Sequence, residues 1–173
     1  MRIRNAGSLK PKDISRKGRE LLAYVLCGRY GVPAEEIGTA SRERGKPYLT
    51  EHPEIEFNIS HSGDYVVIAF SDRPVGIDVQ EMSATSDVDR LAKHVMTPKE
   101  YAHFQEEEDR ETAFYRLWVR KEAYIKRTGD GLYLDLRTLP EEGWYEEIAI
   151  APQYACAICA EEPLNVTVEE ITE

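Results

Sequence analysis

Two acids, Asp78 and Glu122, and one lysine, Lys126, are the residues whose setting in this sequence could carry chemistry. Asp78 lies in Val75-Gly76-Ile77-Asp78-Val79-Gln80, which alternates as a strand does. If Val75, Ile77 and Val79 face a core, then Gly76, Asp78 and Gln80 face the other way together. Oxygen-bearing side chains at i and i+2 on one strand face suit a hard cation such as Mg²⁺, which takes carboxylate, carbonyl and water ligands. The same pattern is also the polar face of an ordinary sheet, and this segment by itself favours that plainer reading.

Trp118, Glu122 and Lys126 fall at i, i+4 and i+8, along one stripe of a helix. Glutamate four residues before lysine is a common surface pair worth about 0.2–0.5 kcal/mol. The aromatic on the same stripe, the adjoining Lys121 and the stop at Gly129-Asp130-Gly131 weaken that reading here. Phe57-Asn58-Ile59-Ser60-His61-Ser62-Gly63 ends a strand in hydroxyls, an imidazole and loop N–H groups, a common way to hold phosphate oxygens. It contains no G-x-S-x-G elbow, and the chain has no Walker or dinucleotide glycine pattern. Cys156 and Cys159 form a C-x-x-C without a second pair at zinc spacing, in a stretch that looks like a buried strand, so they are expected in the core.

The elements that must position these residues are legible in outline. Leu21, Leu22, Val25, Leu26 and Tyr30 predict an amphipathic helix ending near Gly31. Phe57 to His61, Tyr65 to Phe70, and Val75 to Val79 predict three strands in an antiparallel meander. Thr97-Pro98-Lys99-Glu100 is a strong helix start, with N-cap Thr, Pro at the first position and Glu at the third. A long helix is expected from about Glu111 to Thr128, then strands at Glu147 to Ala151, Tyr154 to Ala160 and Asn165 to Ile171. The order reads as an α+β protein in two similar halves, 1–82 and 83–173, each with an antiparallel sheet and packed helices.

Composition bounds what this scaffold does. The 173 residues carry 22 Lys+Arg against 32 Asp+Glu, a formal charge of −10. Such a chain is a poor electrostatic match for nucleic acid or an anionic membrane, and neither is expected as a partner. With 42% hydrophobic and 31% charged residues it is not a disordered or low-complexity chain. The longest wholly apolar runs, Tyr65 to Phe70 and Ala155 to Ala160, are far too short to span a bilayer. Positive charge at the start has no apolar stretch behind it, so no secretory signal is expected. Three cysteines, an odd number, fit a reducing compartment, and the expected location is the cytoplasm.

Taken together, the order and spacing of the clusters resemble one family. Gly45-Lys46-Pro47, Phe57-Asn58-Ile59-Ser60-His61-Ser62, Val75-Gly76-Ile77-Asp78-Val79 and Trp118-Val119-Arg120-Lys121-Glu122-Ala123-Tyr124-Ile125-Lys126 look like a 4′-phosphopantetheinyl transferase of the Sfp type. The resemblance covers roughly Arg16 to Leu134, and G-I-D followed by W-x-x-K-E-A-x-x-K is its most specific part.

The resemblance implies transfer of the phosphopantetheine arm of coenzyme A to a serine of an acyl or peptidyl carrier protein. It implies two halves about a pseudo-twofold axis, and Asp78 and Glu122 as Mg²⁺ ligands. Gln80 stands where many members carry a second acid, so it is a neutral third ligand. Glu122 is the implied base and Lys126 the implied charge stabiliser. Arg19, Lys46, Pro47, Ser60 and His61 would hold coenzyme A, with Lys10, Lys12 and Lys17 compensating for a start close to the first helix. Trp118, Asn58 and Gly76 would be structural. Arg110, Arg116, Arg120, Lys121 and Arg127 are expected to form a local carrier-docking patch, and the protein is expected to be a monomer. Competing readings are another Mg²⁺-dependent phosphate enzyme, a non-catalytic coenzyme A-binding relative with a decayed metal site, and a plain interaction domain.

Overall fold

In the computed structural model, which describes residues 2–5, 11–83, 87–131, 134–140 and 142–171, the first helix, α1, spans Pro11–Val25. Its wider last turn, Leu26–Tyr30, ends where Gly31 takes φ 68° and donates its N–H to the Leu26 carbonyl. Leu21, Leu22, Val25 and Leu26 are buried against Phe57, Val66 and Ile68 of the sheet beneath.

That sheet has the order β4-β5-β1-β9, with β1 at Arg2–Asn5, β4 at Glu56–Ser62, β5 at Tyr65–Ser71 and β9 at Glu169–Ile171. A second sheet has the order β6-β8-β7, with β6 at Gly76–Glu81, β7 at Trp144–Glu147 and β8 at Tyr154–Ala160. A short hairpin of β2 (Thr39–Ser41) and β3 (Pro47–Leu49) carries the Gly45-Lys46-Pro47 loop. β5 has no polar face because both of its sides are covered. Val66 and Ile68 face α1, whereas Val67 and Ala69 pack with Val75, Ile77, Val79, Cys156 and Ile158 in a core between the sheets.

Helices α2 (Val88–Val95), α3 (Pro98–Glu106) and α4 (Arg110–Thr128) cover the far side of the second sheet over Ala155 and Ala157. The capping box expected at Thr97 is present: its hydroxyl accepts from the Glu100 N–H, and Glu100 accepts from the Thr97 N–H. Cys156 and Cys159 are free and buried in β8, as core residues should be.

The mixed helix and antiparallel-sheet class agrees with the sequence, but three strand assignments change. β4 and β5 do form a hairpin, from Glu56 opposite Ser71 to Ser62 opposite Tyr65. β6 does not continue that meander; it crosses to the second sheet and pairs with β8. The expected strand at Glu147 to Ala151 lies earlier, at β7, because its register runs from Trp144 opposite Ala160 to Glu147 opposite Ala157 before the chain turns around Pro152. The last strand shortens to β9 and pairs parallel with β1. Two strands thus cross between the N- and C-terminal parts of the chain, β6 into the sheet of β8 and β9 into the sheet of β1.

Candidate active site

The seam between the sheets is made by side chains rather than by a backbone ladder. Asn58 Oδ1 accepts from the Ile77 N–H at 2.8 Å, Ser60 Oγ from Val79 at 3.3 Å and Ser62 Oγ from Glu81 at 2.9 Å. Each rung joins residues 19 apart, so β4 and β6 run alongside one another in the same direction with fixed register. Alternate residues of β4 point toward β6, and the alternate N–H groups that β6 does not give to β8 meet them. A buried N–H needs such a partner, and those of Ile77 and Val79 have one. The signal was visible as Asn58-x-Ser60-x-Ser62, but polar alternation alone does not say which strand it serves.

Across β6 lies α4, started by Asp109, whose side chain accepts from the Thr112 N–H, and stopped by Gly129 at φ 73°. The helix sits directly on the strand because Gly76 has no side chain there. A Cβ at that position would overlap the Ala123 carbonyl oxygen and the Arg127 nitrogen. This close approach puts Asp78 against the turn of α4 that carries Glu122 and Lys126.

Three of these groups form a closed set. Lys126 Nζ donates to Asp78 Oδ1 at 2.5 Å and to Ser60 Oγ at 2.8 Å, and Ser60 Oγ donates to Asp78 Oδ1 at 2.8 Å. Asp78 and Ser60 are buried, and Lys126 and Glu122 are half-buried. Among the described residues neither Asp78 Oδ2 nor the Glu122 carboxylate has a hydrogen-bond partner. Burial, and next the negative charge of Asp78, push the Glu122 carboxyl above the usual range, with Lys126 pulling it back.

The groups line a cleft with two lobes. One, of about 330 Å³, is walled by Asp78, Gln80, Glu122, Lys126, His61 and Trp118. The other, of about 370 Å³, is walled by Arg44, Pro47, Asn58, Ile125 and Gly129, and it shares Ile59, Glu122 and Lys126 with the first. Glu122 and Lys126 therefore stand on the ridge between a carboxylate-rich lobe and a more apolar one. Among the described residues no three His, Cys, Asp or Glu side chains converge as a ready-made metal cage. Two carboxylates and the Gln80 amide do share one lobe, and an unbonded, half-buried Glu122 facing the charge of Asp78 is a donor set that a hard divalent cation would satisfy.

Four of the five residues expected to hold coenzyme A line the cleft, Ser60 and His61 in the carboxylate lobe and Lys46 and Pro47 in the second. His61 is exposed at the rim of the carboxylate lobe, and Pro47 walls the second lobe. Arg19 is exposed on α1 and lines neither lobe. Lys46 is buried, with its ammonium on the Arg127 carbonyl at 2.9 Å, the Val75 carbonyl at 3.3 Å and Glu56 Oε2 at 3.2 Å. Those contacts use all three of its donors and tie the β2–β3 loop to the end of α4 and the start of β6. Desolvation holds the Lys46 pKa below its usual value, opposed by Glu56.

The basic residues expected as a patch are mostly engaged within the fold. Lys121 is buried, donating to Glu100 Oε2 and to the Leu136 carbonyl, both at 2.8 Å, so it is not a surface charge. Arg110 pairs with Asp89 and Arg116 with Glu147, while Arg120 and Arg127 lie over the rings of Tyr145 and Tyr124.

Two carboxylates and an ammonium held by an α+β scaffold give this cleft donor groups for a hard cation and for an anion. Residues 74–159 match the family described as the 4′-phosphopantetheinyl transferase superfamily, and residues 9–73 match 4′-phosphopantetheinyl transferase, N-terminal. The chain is 32% identical to 4′-phosphopantetheinyl transferase psf-1 of Bacillus pumilus over 165 residues, covering 84% of this chain and 70% of that one. It is 30% identical to 4′-phosphopantetheinyl transferase Sfp of Bacillus subtilis (strain 168), covering 84% and 73%. Against the L-aminoadipate-semialdehyde dehydrogenase-phosphopantetheinyl transferase of Xenopus laevis the identity is 34%, covering 72% of this chain and 46% of that one. This chain belongs to the 4′-phosphopantetheinyl transferase superfamily and is of the Sfp type.

Proposed function

We propose that this protein moves the 4′-phosphopantetheine arm of coenzyme A onto a serine of an apo acyl or peptidyl carrier protein, releasing adenosine 3′,5′-bisphosphate. The observation that carries this reading is the meeting of Asp78, Glu122 and Lys126 at one cleft in a chain of this family.

In the reaction the serine oxygen bonds to the phosphorus of the arm as the bond from phosphorus to the bisphosphate oxygen breaks. Glu122, directly or through a water, takes the serine proton, a role that its raised proton affinity suits. Lys126 keeps two of its N–H groups on Ser60 and Asp78 and has a third for a phosphate oxygen, where it offsets charge building on the leaving group. His61 at the rim serves the phosphates of coenzyme A, and Arg19, which lines neither lobe, is assigned to the 3′-phosphate by the resemblance alone. Pro47 serves the adenosine end in the second lobe, with Lys46 holding that loop against α4. Mg²⁺ is the proposed cofactor, held by Asp78, Glu122 and the Gln80 amide with water, and when bound it would neutralise pyrophosphate oxygens.

Asp78, Glu122 and Lys126 come from one copy of the chain, which supports a monomer. No helix among the described residues is long and apolar enough to cross a membrane. The free cysteines support a reducing compartment, the cytoplasm, and the net charge speaks against nucleic-acid and membrane partners.

The deciding experiment is the intact mass of an apo carrier protein after incubation with the protein, coenzyme A and Mg²⁺. A gain of one phosphopantetheine that requires both Mg²⁺ and Glu122 is the expected result. Coenzyme A bound without transfer to any of several carriers would replace this reading with that of a non-catalytic relative.

A further inference from the structure

Ser60 stands out because its hydroxyl has no capacity left. A serine hydroxyl has one hydrogen to donate and two lone pairs to accept. The hydrogen goes to Asp78 Oδ1 at 2.8 Å, and the lone pairs take the Val79 N–H at 3.3 Å and Lys126 Nζ at 2.8 Å. The side chain is buried in the seam, at the wall of the carboxylate lobe. A phosphate oxygen could reach it only by breaking one of three bonds already made. The neighbouring rungs, Asn58 and Ser62, accept from β6 in the same way but make no hydrogen bond to Asp78 or Lys126.

We propose that Ser60 is a positioning residue for the transfer reaction, fixing the Lys126 ammonium and the Asp78 carboxylate to each other and to the β4–β6 seam, rather than a ligand of coenzyme A. This inference rests on the reading of the cleft given above. Its physical content is a division of labour between atoms. Ser60 and Lys126 both converge on Asp78 Oδ1, so Oδ2 is the oxygen that remains for the cleft. Ser60 and Asp78 together take two of the three Lys126 N–H groups, which fixes the direction of the third. An ammonium on a four-carbon stem has many rotamers, and two fixed acceptors on a buried strand leave it few. Without the hydroxyl, Lys126 keeps a single charged partner and can swing about it.

The test uses the full chain and separates the hydroxyl from the shape of the side chain. Ser60→Thr and Ser60→Val differ by little except the hydroxyl, and Ser60→Ala removes it with less bulk. Transfer to an apo carrier gives kcat and the KM for coenzyme A, and calorimetry without metal gives the Kd for coenzyme A. The expected result is a kcat lowered about 10–100-fold in Ser60→Val and Ser60→Ala, as small misplacements of reacting groups produce. The KM and Kd stay within about threefold, and Ser60→Thr recovers most of kcat. In a Lys126→Met background, Ser60→Ala has little further effect on kcat, because the two act as a unit. A Kd for coenzyme A weakened tenfold by Ser60→Ala, equally with Lys126 or Met at 126, would overturn the proposal and make the hydroxyl a direct ligand.

A readout without turnover keeps the proposal open to refutation even if the protein transfers nothing. The Lys126 ammonium, observed by nitrogen NMR in the ligand-free protein, should exchange its protons more slowly in wild type and Ser60→Thr than in Ser60→Val. Equal exchange in all three would overturn the link between Ser60 and Lys126. Slowed exchange with no transfer would support the link while removing the transferase reading.

Discussion

Lys126 Nζ lies 2.5 Å from Asp78 Oδ1, while Glu122, one turn earlier on the same helix, has no hydrogen-bond partner among the described residues. The lysine therefore answers one carboxylate directly and leaves the other half-buried beside a like charge. Such an arrangement stores the site's readiness for a cation as a local instability of the empty protein.

Glu122→Gln should reveal that instability. The folded-state pKa of Glu122 is raised above its unfolded value, so folded protein binds this proton more tightly than unfolded chain does. The stability this group contributes is fully present below the unfolded carboxyl range and is lost as pH rises through the folded pKa. At neutral pH the neutral amide should be more stable than wild type by about 0.5–2 kcal/mol, with the difference shrinking toward acid. Urea unfolding across pH checks the sign, and transfer to a carrier should fall at least about 100-fold. A variant less stable than wild type at neutral pH would mean that Glu122 is satisfied in the folded protein.

Gly76→Ala tests the contact that brings helix and strand together. Its new methyl would meet the Ala123 carbonyl and the Arg127 nitrogen, both backbone, so neither can turn aside as a side chain could. Relief requires α4 to lift from β6, which carries Glu122 and Lys126 away from Asp78. A loss of about 1–3 kcal/mol or more in urea unfolding is expected, together with a fall in kcat larger than the change in KM for the carrier.

Asn58→Ala tests the seam away from the charged set. The substitution leaves the buried Ile77 N–H without its acceptor, at about 1–3 kcal/mol. Because Asn58 makes no hydrogen bond to Asp78, Glu122 or Lys126, kcat in the folded variant should fall less than in Ser60→Val. Thermal unfolding and transfer kinetics on the same samples separate the two effects.

The sequence made the elements legible where local chemistry is strong. Thr97 with Pro98 and Glu100 announced α3, Gly129 announced the end of α4, and the unbroken apolar run of β5 announced a strand. The pairing of Asp78 with a Glu122–Lys126 helix was legible only through resemblance, since nothing local links positions 44 residues apart. What stayed hidden was the long-range pairing. Alternation in β6 is the same whether its neighbour is β5 or β8, and the parallel pairing of β9 with β1 joins opposite ends of the chain. Lys46 shows the same limit for a side chain. A lysine in a Gly-Lys-Pro loop reads as an anion ligand, and only the fold shows three protein acceptors around its ammonium.

Gln80 offers the sharpest test of how the carboxylate lobe handles a cation. It lines the same lobe as Asp78 and Glu122, and its amide donates weakly, at 3.3 Å, to the Glu81 carbonyl. Gln80→Glu adds a third carboxylate to that lobe. Without metal, the added charge should destabilise the fold near neutral pH, because a like charge near Glu122 raises the cost of ionising both. With Mg²⁺ the same charge becomes a ligand, so the affinity for the ion should rise and the lost stability should return as the ion is added. The two effects oppose each other, so a titration of the unfolding temperature with Mg²⁺ separates them. Wild type should start higher and gain little, whereas the variant should start lower and gain more. Parallel titration curves for the two proteins would mean that position 80 does not reach the ion, and that Asp78 and Glu122 serve it with water alone.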